Sequence, residues 1–398
     1  MPSQHSKVHP PFFDAVVVGG GVVGAATALA LAHAELSTAL LDPYEPGPVP
    51  ADASWDSRIY TMSPGNAAWL GKLGIWQSLP AERLARVEAM QVYGDRARGH
   101  LRFSAYDAGL RELAWTVENR ALQHALWREL ESSAQVQIYR PARCAEIAWE
   151  PDCARLALSD GREIQSRLVI GADGADSWVR ERAGISAVTH DYGQIGVVAN
   201  FAIARPHEDN AFQWFRSDGV LALLPLPGAR VSMVWSAPEL RARELLAAEP
   251  HALAAEVARA SCDVVGTLEL LTPATGFPLK RLRVDRLVGP RVALVGDAAH
   301  TVHPLAGQGM NLGLRDAREL VSVLMARGAQ TDCGDFGLLR RYERARKEDI
   351  LALELATDGL EKLFSHPAVW VTRLRNLGFE LVDAQALLKN LFVHRAAV

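Results

Sequence analysis

Three glycines near the start of the chain have the spacing of a phosphate-binding turn. Gly19, Gly21 and Gly24 follow an apolar run that begins at Phe13, and they precede an alanine-rich helical pattern that extends to about Ala34. In a strand–turn–helix unit of this kind, one glycine allows a sharp turn, one lets the backbone approach a pyrophosphate, and one lets the helix pack closely on the strand. The pyrophosphate would lie on the exposed N–H groups at the start of the helix. The spacing therefore predicts a dinucleotide site.

An acidic residue supports this prediction. A second apolar run, Thr38 to Leu41, ends at Asp42. This acid lies about 20 residues beyond the glycines, where a bound dinucleotide needs an acceptor for a ribose hydroxyl. The turn and the acid together do not distinguish a nicotinamide from a flavin. The alternative is a glycine-rich turn that serves packing alone.

Two later apolar runs also end in a turn of glycine and aspartate. The first leads into Gly171-Ala172-Asp173-Gly174 and the second into Gly296-Asp297. Turns of this kind bind ligands, but they also serve as simple connections. After the second turn, a glycine-rich stretch exposes backbone N–H groups just before a helix predicted over 312–326, which suits the stabilisation of partial negative charge. That stretch comprises Gly307, Gln308, Gly309, Met310 and Asn311.

Two arginines are candidates for contact with a bound anion. Arg58 follows a loop rich in proline and glycine, and it either clamps a phosphate, lies near a bound ring, or is an ordinary surface residue. Arg120 lies in the first turn of a predicted helix, where its charge opposes the helix dipole. Either a local anion or an outward salt bridge would resolve that conflict.

The histidines and cysteines do not predict a metal site. His300 and His303 form a pair that lacks a third ligand or a carboxylate partner, and each histidine alone is more often structural than catalytic. The cysteines are scattered without metal-type spacing and indicate reduced thiols in a cytosolic setting. They are Cys144, Cys153, Cys262 and Cys333.

Length and composition fit an ordinary globular protein. The 398 residues suggest two or three domains, and the net charge of −4 gives no sign of a nucleic-acid partner. The first dozen residues lack the apolar core of a signal peptide, and no apolar run is long enough to span a bilayer. A basic cluster at 340–347 and a leucine-rich stretch at 369–393 could dock on anionic lipid, although packing on the body or on a second subunit is commoner.

The pattern changes between about residues 185 and 277. Strand-like segments separated by turns are followed by a helical pattern over 239–260, which predicts an antiparallel sheet with a helix, separate from the dinucleotide site. The strand segments are 197–204, 211–216, 220–224 and 230–235. Four aromatic side chains of this region either line an apolar pocket or belong to the core. They are Phe212, Trp214, Phe215 and Trp235.

Together, the three glycine-rich turns resemble those of the single-component FAD-dependent aromatic hydroxylases, the para-hydroxybenzoate hydroxylase type. The turn at Gly19 is similar to that family's ADP-binding turn, and the turn at Asp173 is similar to a motif associated with FAD and reduced nicotinamide. Asp297 matches the acid that binds the FAD ribose. Within this family the chain is most similar to the ubiquinone-biosynthesis hydroxylases.

The closer likeness rests on four sets of residues. They are Asp56-x-Arg58, Val117-x-Asn119-Arg120-x-Leu122, Leu221 to Leu226 with Val234-Trp235-Ser236, and the stretch from Gly296 to Gly313. One departure is Tyr60-Thr61-Met62, where the family often has small or aliphatic residues. The departure leaves the flavin contacts of that loop less defined than the rest of the site.

The resemblance implies an α/β fold with three parts. A discontinuous, Rossmann-like FAD-binding domain would comprise residues 12–82, 115–183 and 278–335. A second, antiparallel-sheet substrate domain would comprise 83–114 and 184–277. A helical C-terminal segment would occupy 336–398.

The resemblance also implies a mechanism. Noncovalently bound FAD would be reduced by NAD(P)H or another electron donor and would react with molecular oxygen to give a C4a-hydroperoxide, which hydroxylates an electron-rich ring. The stretch from Gly307 to Asn311 would face the pyrimidine edge of the flavin and favour its anionic reduced form. Pro304 would lie beside the ring, and His303 is the candidate base. The residues expected to hold FAD are Gly19, Gly21, Gly24, Asp42, Arg58, Arg120, Asp173, Gly296, Asp297, Gly307, Gln308, Gly309, Met310 and Asn311.

The expected reaction is hydroxylation of a polyprenylated phenol or quinol in ubiquinone biosynthesis, in the cytoplasm. A lipid-borne substrate gives the basic C-terminal stretch more weight as a peripheral membrane contact or as a contact with a quinone-synthesis complex. Three alternatives stay open: a hydroxylase of a small soluble phenol, a non-oxygenating flavin dehydrogenase, and a flavin-bound scaffold without turnover. A polar, charged pocket on the antiparallel sheet would favour the small phenol, whereas an open apolar channel would favour the prenylated substrate.

Overall fold

A computed structural model describes residues 10–45, 54–94, 100–303 and 307–365, with side chains described as far as Leu355 and at Gly359. The predictions for Pro304 and for 366–398 fall outside these residues. The helices are α1 (Val22–His33), α2 (Pro64–Lys72), α3 (Asn119–Ser132), α4 (Trp178–Arg182), α5 (Glu239–Ala247), α6 (Pro250–Ala260), α7 (Gln308–Met325) and α8 (Phe336–Ser365).

The strands fall into three sheets. In chain order they are β1 (Phe12–Val18), β2 (Thr38–Leu41), β3 (Ile59–Met62), β4 (Ala85–Val87), β5 (Ala89–Tyr93), β6 (His100–Ser104), β7 (Ala114–Glu118), β8 (Val136–Tyr139), β9 (Cys144–Trp149), β10 (Ala154–Leu158), β11 (Glu163–Gly171), β12 (Ala187–Ile203), β13 (Asn210–Arg216), β14 (Gly219–Leu226), β15 (Arg230–Pro238), β16 (Leu268–Leu270), β17 (Thr275–Val284), β18 (Val288–Gly289), β19 (Val292–Leu294) and β20 (His300–Thr301).

The first sheet is parallel in its centre, with the strand order β19–β11–β1–β2–β8. β18 pairs with β19 as an antiparallel edge, and the β9–β10 hairpin extends from β11. β2 and the carboxyl-terminal halves of β1 and β11 are buried, as expected for parallel strands that are covered on both faces. α1 packs against α3 and α7. This arrangement confirms the Rossmann-like part of the predicted α/β fold.

The second sheet is mainly antiparallel, with the order β20–β17–β12–β15–β14–β13–β5–β6 and with β16 beside β12. Because side chains alternate along a strand, the two faces of the sheet have different partners. One face, which includes Leu221, Leu223 and Trp235, packs on α5 and α6 as a buried core. The opposite face, which includes Ala222 and Val234, borders a cavity.

The strands predicted between 197 and 235 are all present. The prediction of a single helix over 239–260 is wrong in one respect, the number of helices. The structure has two helices, α5 and α6, and Pro250 lies in the first turn of the second. Proline has no N–H to donate and a fixed φ that suits the start of a helix, so the chain begins a new helix there.

β17 runs without a break across the predicted domain boundary at 278, and β20 pairs with it.

The third sheet consists of β3, β7 and β4. α8 packs on α7 and β18, and its own side chains Leu339 and Tyr342 are buried. Arg346, from the predicted basic cluster, is also buried, so this residue serves packing rather than an exposed basic surface. Within the described residues, no helix is both long and apolar enough to cross a bilayer.

Candidate active site

A cavity of about 900 Å³ is lined by residues from both large sheets. It brings together segments that are far apart in the sequence, including the start of α1, strand β3 and the start of α7. The predicted site residues that line it are Gly21, Gly24, Arg58, Asp297, Gly307, Gln308, Gly309, Met310 and Asn311.

The first glycine turn has the geometry that the sequence predicted. Gly19 has φ of +105°, and a Cβ there would clash with the carbonyl oxygen of Ala172, while a Cβ on Gly24 would clash with the carbonyl oxygen of Gly19. A Cβ on Gly21, in contrast, would meet no protein atom within 4 Å. α1 has no side-chain cap and no acidic residue in its first turn. Its N–H groups therefore face open space that suits a phosphate group.

Asp42 lies behind this turn rather than in the cavity wall. Its Oδ2 accepts a hydrogen bond from the Gly20 N–H at 2.5 Å, and its Oδ1 accepts one from the Tyr44 N–H at 2.8 Å. The indole Nε1 of Trp127 donates to the Gly20 carbonyl at 3.1 Å. The turn is thus held on two sides, and the ribose contact of Asp42 stays a prediction. Trp127 is a site residue that sequence reasoning missed, because nothing in the helical pattern of α3 distinguishes it from a core residue.

Asp173 has a similar supporting position at the second turn. Its carboxylate accepts hydrogen bonds from the Ser177 hydroxyl at 2.5 Å and from the Val179 N–H at 3.0 Å, so it fixes the start of α4. Its neighbours Ala172 and Gly174 line the cavity, whereas Asp173 itself does not. Contact between Asp173 and the cofactor stays a prediction.

Arg120 is directed toward protein groups and does not line the cavity. Its backbone N–H donates to Asp56 Oδ2 at 3.0 Å, and its guanidinium donates to the Ser54 carbonyl at 2.7 Å and lies 3.6 Å from Glu118 Oε1. The anions near the start of α3 are therefore carboxylates of the protein, which resolves the conflict between Arg120 and the helix dipole. Binding of the cofactor by Arg120 stays a prediction.

Arg58 and Asp297 are two charged residues that line the cavity. The side chain of Asp297 is exposed to the cavity. The surrounding protein desolvates this carboxylate and raises its pKa, although the nearby His300 and Arg58 act in the opposite direction. Tyr60 lies beside them, with the Arg58 guanidinium 5.7 Å from its ring centre and its hydroxyl 3.2 Å from Asn119 Oδ1. A carboxylate beside an arginine suits the hydroxyl groups and phosphates of a nucleotide.

The fully buried Asp316 supports the Gly296–Asp297 turn from behind. Its carboxylate accepts hydrogen bonds from the Gly296 N–H at 3.0 Å, His300 Nε2 at 2.6 Å and Arg346 Nε at 2.7 Å. Burial would raise the pKa of Asp316, but His300 and Arg346 more than offset this effect, and the pKa is lowered. Sequence reasoning missed Asp316; the available signal was an acid between apolar positions of α7.

The start of α7 resembles the start of α1 in leaving its N–H groups without a side-chain cap. Gly307 has φ of +64°, and a Cβ there would clash with Thr61 Oγ1. The Asn311 side chain accepts from the Ser63 N–H and donates to the Thr61 carbonyl, each at 2.8 Å, which joins α7 to β3. Because α7 has no acidic residue in its first turn, the N–H groups there can stabilise negative charge in the cavity.

His303 is buried and does not line the cavity. Its Nε2 lies 3.3 Å from Gln194 Oε1, and its ring packs edge-on against Tyr192 at 4.9 Å. Burial lowers the pKa of His303 to about 4, so the imidazole is neutral at pH 7. Its role as a base stays a prediction. Among the described residues, no cluster of His, Cys, Asp and Glu could hold a metal ion.

The wall formed by the antiparallel sheet and its neighbours is mainly apolar. Polar side chains are few there, namely Gln213, Ser236, Lys280 and Thr301. The apolar side chains include Met90, Phe103, Val198, Phe212, Val220, Leu224, Val234 and Phe277. Of the four aromatic residues singled out from the sequence, Phe212 lines the cavity and also belongs to the core, while Trp214 and Trp235 pack in that core and Phe215 joins a smaller cluster.

Comparison with solved structures identifies the class of fold. P. aeruginosa PqsL in complex with 2-aminobenzoylacetate superposes with a TM-score of 0.77 over 93% of this chain and 99% of that one, at 23% identity. Klebsiella pneumoniae HpxO complexed with FAD and uric acid gives 0.71 over 95% and 96%, at 19% identity. The fold is that of the FAD-dependent monooxygenases.

Sequence comparison identifies the family. The model of the FAD binding domain matches residues 13–354. The 3-demethoxyubiquinol 3-hydroxylase of Escherichia coli (strain K12) is 35% identical over 95% of this chain and 96% of its own length. The human mitochondrial ubiquinone biosynthesis monooxygenase COQ6 is 33% identical over 95% and 91%. The chain belongs to the family of FAD-dependent ubiquinone-biosynthesis hydroxylases, as its motifs predicted, and it is a monooxygenase with FAD as its cofactor.

Proposed function

We propose that this enzyme hydroxylates the aromatic ring of a polyprenylated phenol or quinol on the route to ubiquinone. The observation that carries the proposal is the continuity of one cavity from the uncapped starts of α1 and α7 to the apolar wall of the antiparallel sheet. The relatives named above match this chain over nearly their whole length. Their names place them in ubiquinone biosynthesis, which supports the same substrate class.

The residues present fit FAD, because each part of the cofactor meets a chemically suitable group. The open space at Gly21 suits the pyrophosphate, and Arg58 and Asp297 suit the phosphate and sugar oxygens. Asp42 and Asp173 fix the two turns through backbone N–H groups, which is consistent with indirect roles in binding. When bound, FAD supplies the activation of molecular oxygen and the transfer of one oxygen atom to the ring.

The start of α7 stabilises negative charge during the reaction. Gln308, Gly309 and Met310 present the first turn of α7 to the cavity, and Gly307 allows the backbone to enter the helix in a left-handed conformation. Fixed N–H groups in a site that excludes water need little reorganisation when charge develops, so they stabilise it effectively. The Asn311 side chain keeps this turn attached to β3.

The apolar wall binds the substrate and excludes water from the reacting ring. Val198, Leu224 and Val234 offer no strong hydrogen-bonding groups to solvent, so a reactive oxygen donor would be protected from competing reactions. This wall favours a prenylated ring over a small charged phenol. Phe277 and Lys280 line the cavity and are also exposed, so we place the exit of the polyprenyl tail there.

We also propose peripheral contact with a membrane surface or with a quinone-synthesis complex, because a polyprenylated substrate resides in lipid and would have to leave the bilayer to reach the cavity. Support comes from the apolar side chain of Phe277, which lines the cavity and is 40% exposed. Flotation of the purified protein with anionic lipid vesicles tests the membrane contact. Failure to float, with and without the substrate, would count against it.

The function is tested by deleting the gene and identifying the accumulated quinone precursor by mass spectrometry. The expected precursor lacks one ring oxygen, and the missing ring position defines the product. An unchanged quinone profile would refute the biosynthetic assignment. Purified enzyme that oxidises its electron donor without adding oxygen to any prenylated phenol would instead favour a flavin dehydrogenase.

A further inference from the structure

Gln213 is a buried polar residue in the cavity wall. It lies on β13 with only 5% of its surface exposed, and it lines the cavity. Among the described residues, its side-chain amide forms no hydrogen bond with another protein group, and it borders the cavity. Polar groups of a largely buried residue usually find a partner. An amide that the protein leaves unpaired at the wall of a cavity is therefore available to a ligand.

The surroundings of Gln213 are apolar across the width of the sheet. The strand register places Gln213 opposite Ala222, Ala222 opposite Val234, and Val234 opposite Val198. All four residues line the cavity. This row therefore contains a single group that can make a directional contact, set among side chains that bind only by packing.

A second glutamine of the same sheet provides a contrast. Gln91 lies on β5, donates to Asn210 Oδ1 at 3.1 Å and accepts from the Tyr93 hydroxyl at 2.8 Å. It does not line the cavity. The sheet thus satisfies the amide of a glutamine outside the cavity and leaves the one inside it open to a ligand.

We propose that Gln213 is a specificity-determining residue that hydrogen-bonds an oxygen substituent of the substrate ring. A primary amide both donates and accepts, so it matches a phenolic or quinol hydroxyl, which does the same. One directional contact in an otherwise apolar row of side chains selects which ring atom faces the oxygen donor. The inference rests on the proposed function, since it assumes an aromatic ring with an oxygen substituent.

The test compares two ligands on three forms of the FAD-loaded enzyme. The ligands are a short-chain prenylated phenol and its analogue in which hydrogen replaces the hydroxyl, and binding is followed by the change in flavin absorbance. Wild type should prefer the phenol by about tenfold, the size of one neutral hydrogen bond made in a buried site. Gln213→Met keeps a similar volume without a strong hydrogen-bonding group, and it should bind both ligands equally.

Two further variants separate this role from a structural one. Gln213→Glu keeps an acceptor of the same shape and should retain part of the preference for the phenol, because the hydroxyl can still donate. The matched control, Gln91→Met, should keep the full preference. FAD content and thermal midpoint are measured for each variant, and Gln213→Glu gives the answer if Gln213→Met does not fold.

The outcomes distinguish the inference from the proposed function. If wild type binds and hydroxylates the prenylated phenol but Gln213→Met keeps its preference, the assignment of Gln213 is overturned and the function stands. If wild type binds neither ligand, the proposed function fails, and the inference fails with it. Loss of the preference in Gln213→Met alone supports both.

Discussion

Replacing Asp316 with alanine should be among the most damaging single changes outside the cavity. This carboxylate is fully buried and serves Gly296, His300 and Arg346 at once. Its removal leaves the Nε of the buried Arg346 and the Gly296 N–H without their acceptor. Breaking a buried ion pair by deleting one partner costs about 3 to 5 kcal/mol. Arg346 keeps a second partner, Asp349, at 2.7 Å, so we expect the lower part of that range.

Asp349 provides the matched control. Its side chain is 30% exposed and pairs with Arg346 and with Arg315 at 3.2 Å. The Asp349 carboxylate is partly exposed, and Arg346 keeps Asp316 when Asp349 is removed, so Asp349→Ala should cost less than Asp316→Ala. Thermal and urea unfolding of the FAD-loaded proteins, followed by tryptophan fluorescence and flavin release, measures the difference. Equal losses of stability in the two variants would refute the argument from burial.

The sign of the pH dependence offers an independent check. The pKa of Asp316 is lowered in the folded protein, so its stabilisation is present above the unfolded pKa of about 3.9 and is lost as the pH falls below it. The stability difference between wild type and Asp316→Asn should therefore be constant from neutral pH down to about 4 and should narrow only below that value. A difference that already disappears well above about pH 4 would refute the assignment to the Asp316 carboxylate.

Three other changes give distinct expected results. Gly24→Ala should prevent correct folding of the first turn, because its Cβ would clash with the Gly19 carbonyl oxygen. Gly21→Ala should leave the apoprotein as stable as wild type but weaken FAD binding, because its Cβ meets no protein atom. Equal thermal midpoints of the two variant apoproteins would contradict this expectation. Trp127→Phe removes the hydrogen bond to Gly20, so fluorescence titration should show about fivefold weaker FAD binding, and unchanged affinity would show that the indole does not position the turn. The folded pKa of His303, about 4, lies below its unfolded value, so the stability of wild type should fall as the pH falls from about 6.5 to 4. His303→Gln should remove this part of the pH dependence. Parallel stability profiles of wild type and variant would argue against a buried neutral imidazole.

The glycine turns could be predicted from the sequence because their requirement is local. A positive φ at Gly19 and a close approach at Gly24 exclude other residues whatever the rest of the fold does. The supporting residues could not be predicted in this way. Asp316 meets a residue 20 positions away, and Trp127 meets one 107 positions away. Such contacts depend on how helices pack over the sheet, which the periodicity of one sequence does not specify.

The same limit explains why the structure adds protein contacts that the motifs did not predict. Asp42, Asp173 and Arg120 occupy the positions that the motifs indicated, yet their side chains bond to protein groups. A motif identifies a residue that a turn needs, and the turn needs such a residue to hold its backbone as well as to contact a ligand. Gln213 is the opposite case. It belongs to no short chemical motif, and only the strand register reveals it as the polar member of an apolar row.

Removal of FAD should destabilise the protein, and the loss should be concentrated at the first turns of α1 and α7. α2 and α4 are capped by the hydroxyls of Ser63 and Ser177, whereas α1 and α7, which open on the cavity, have no side-chain cap. A bound anionic cofactor completes the hydrogen bonding of those two starts. At free FAD one hundred times its Kd, the stabilisation is about 2.7 kcal/mol. Hydrogen exchange should then show the added protection at 22–24 and 308–310, and protection spread evenly over all helices would refute the local account.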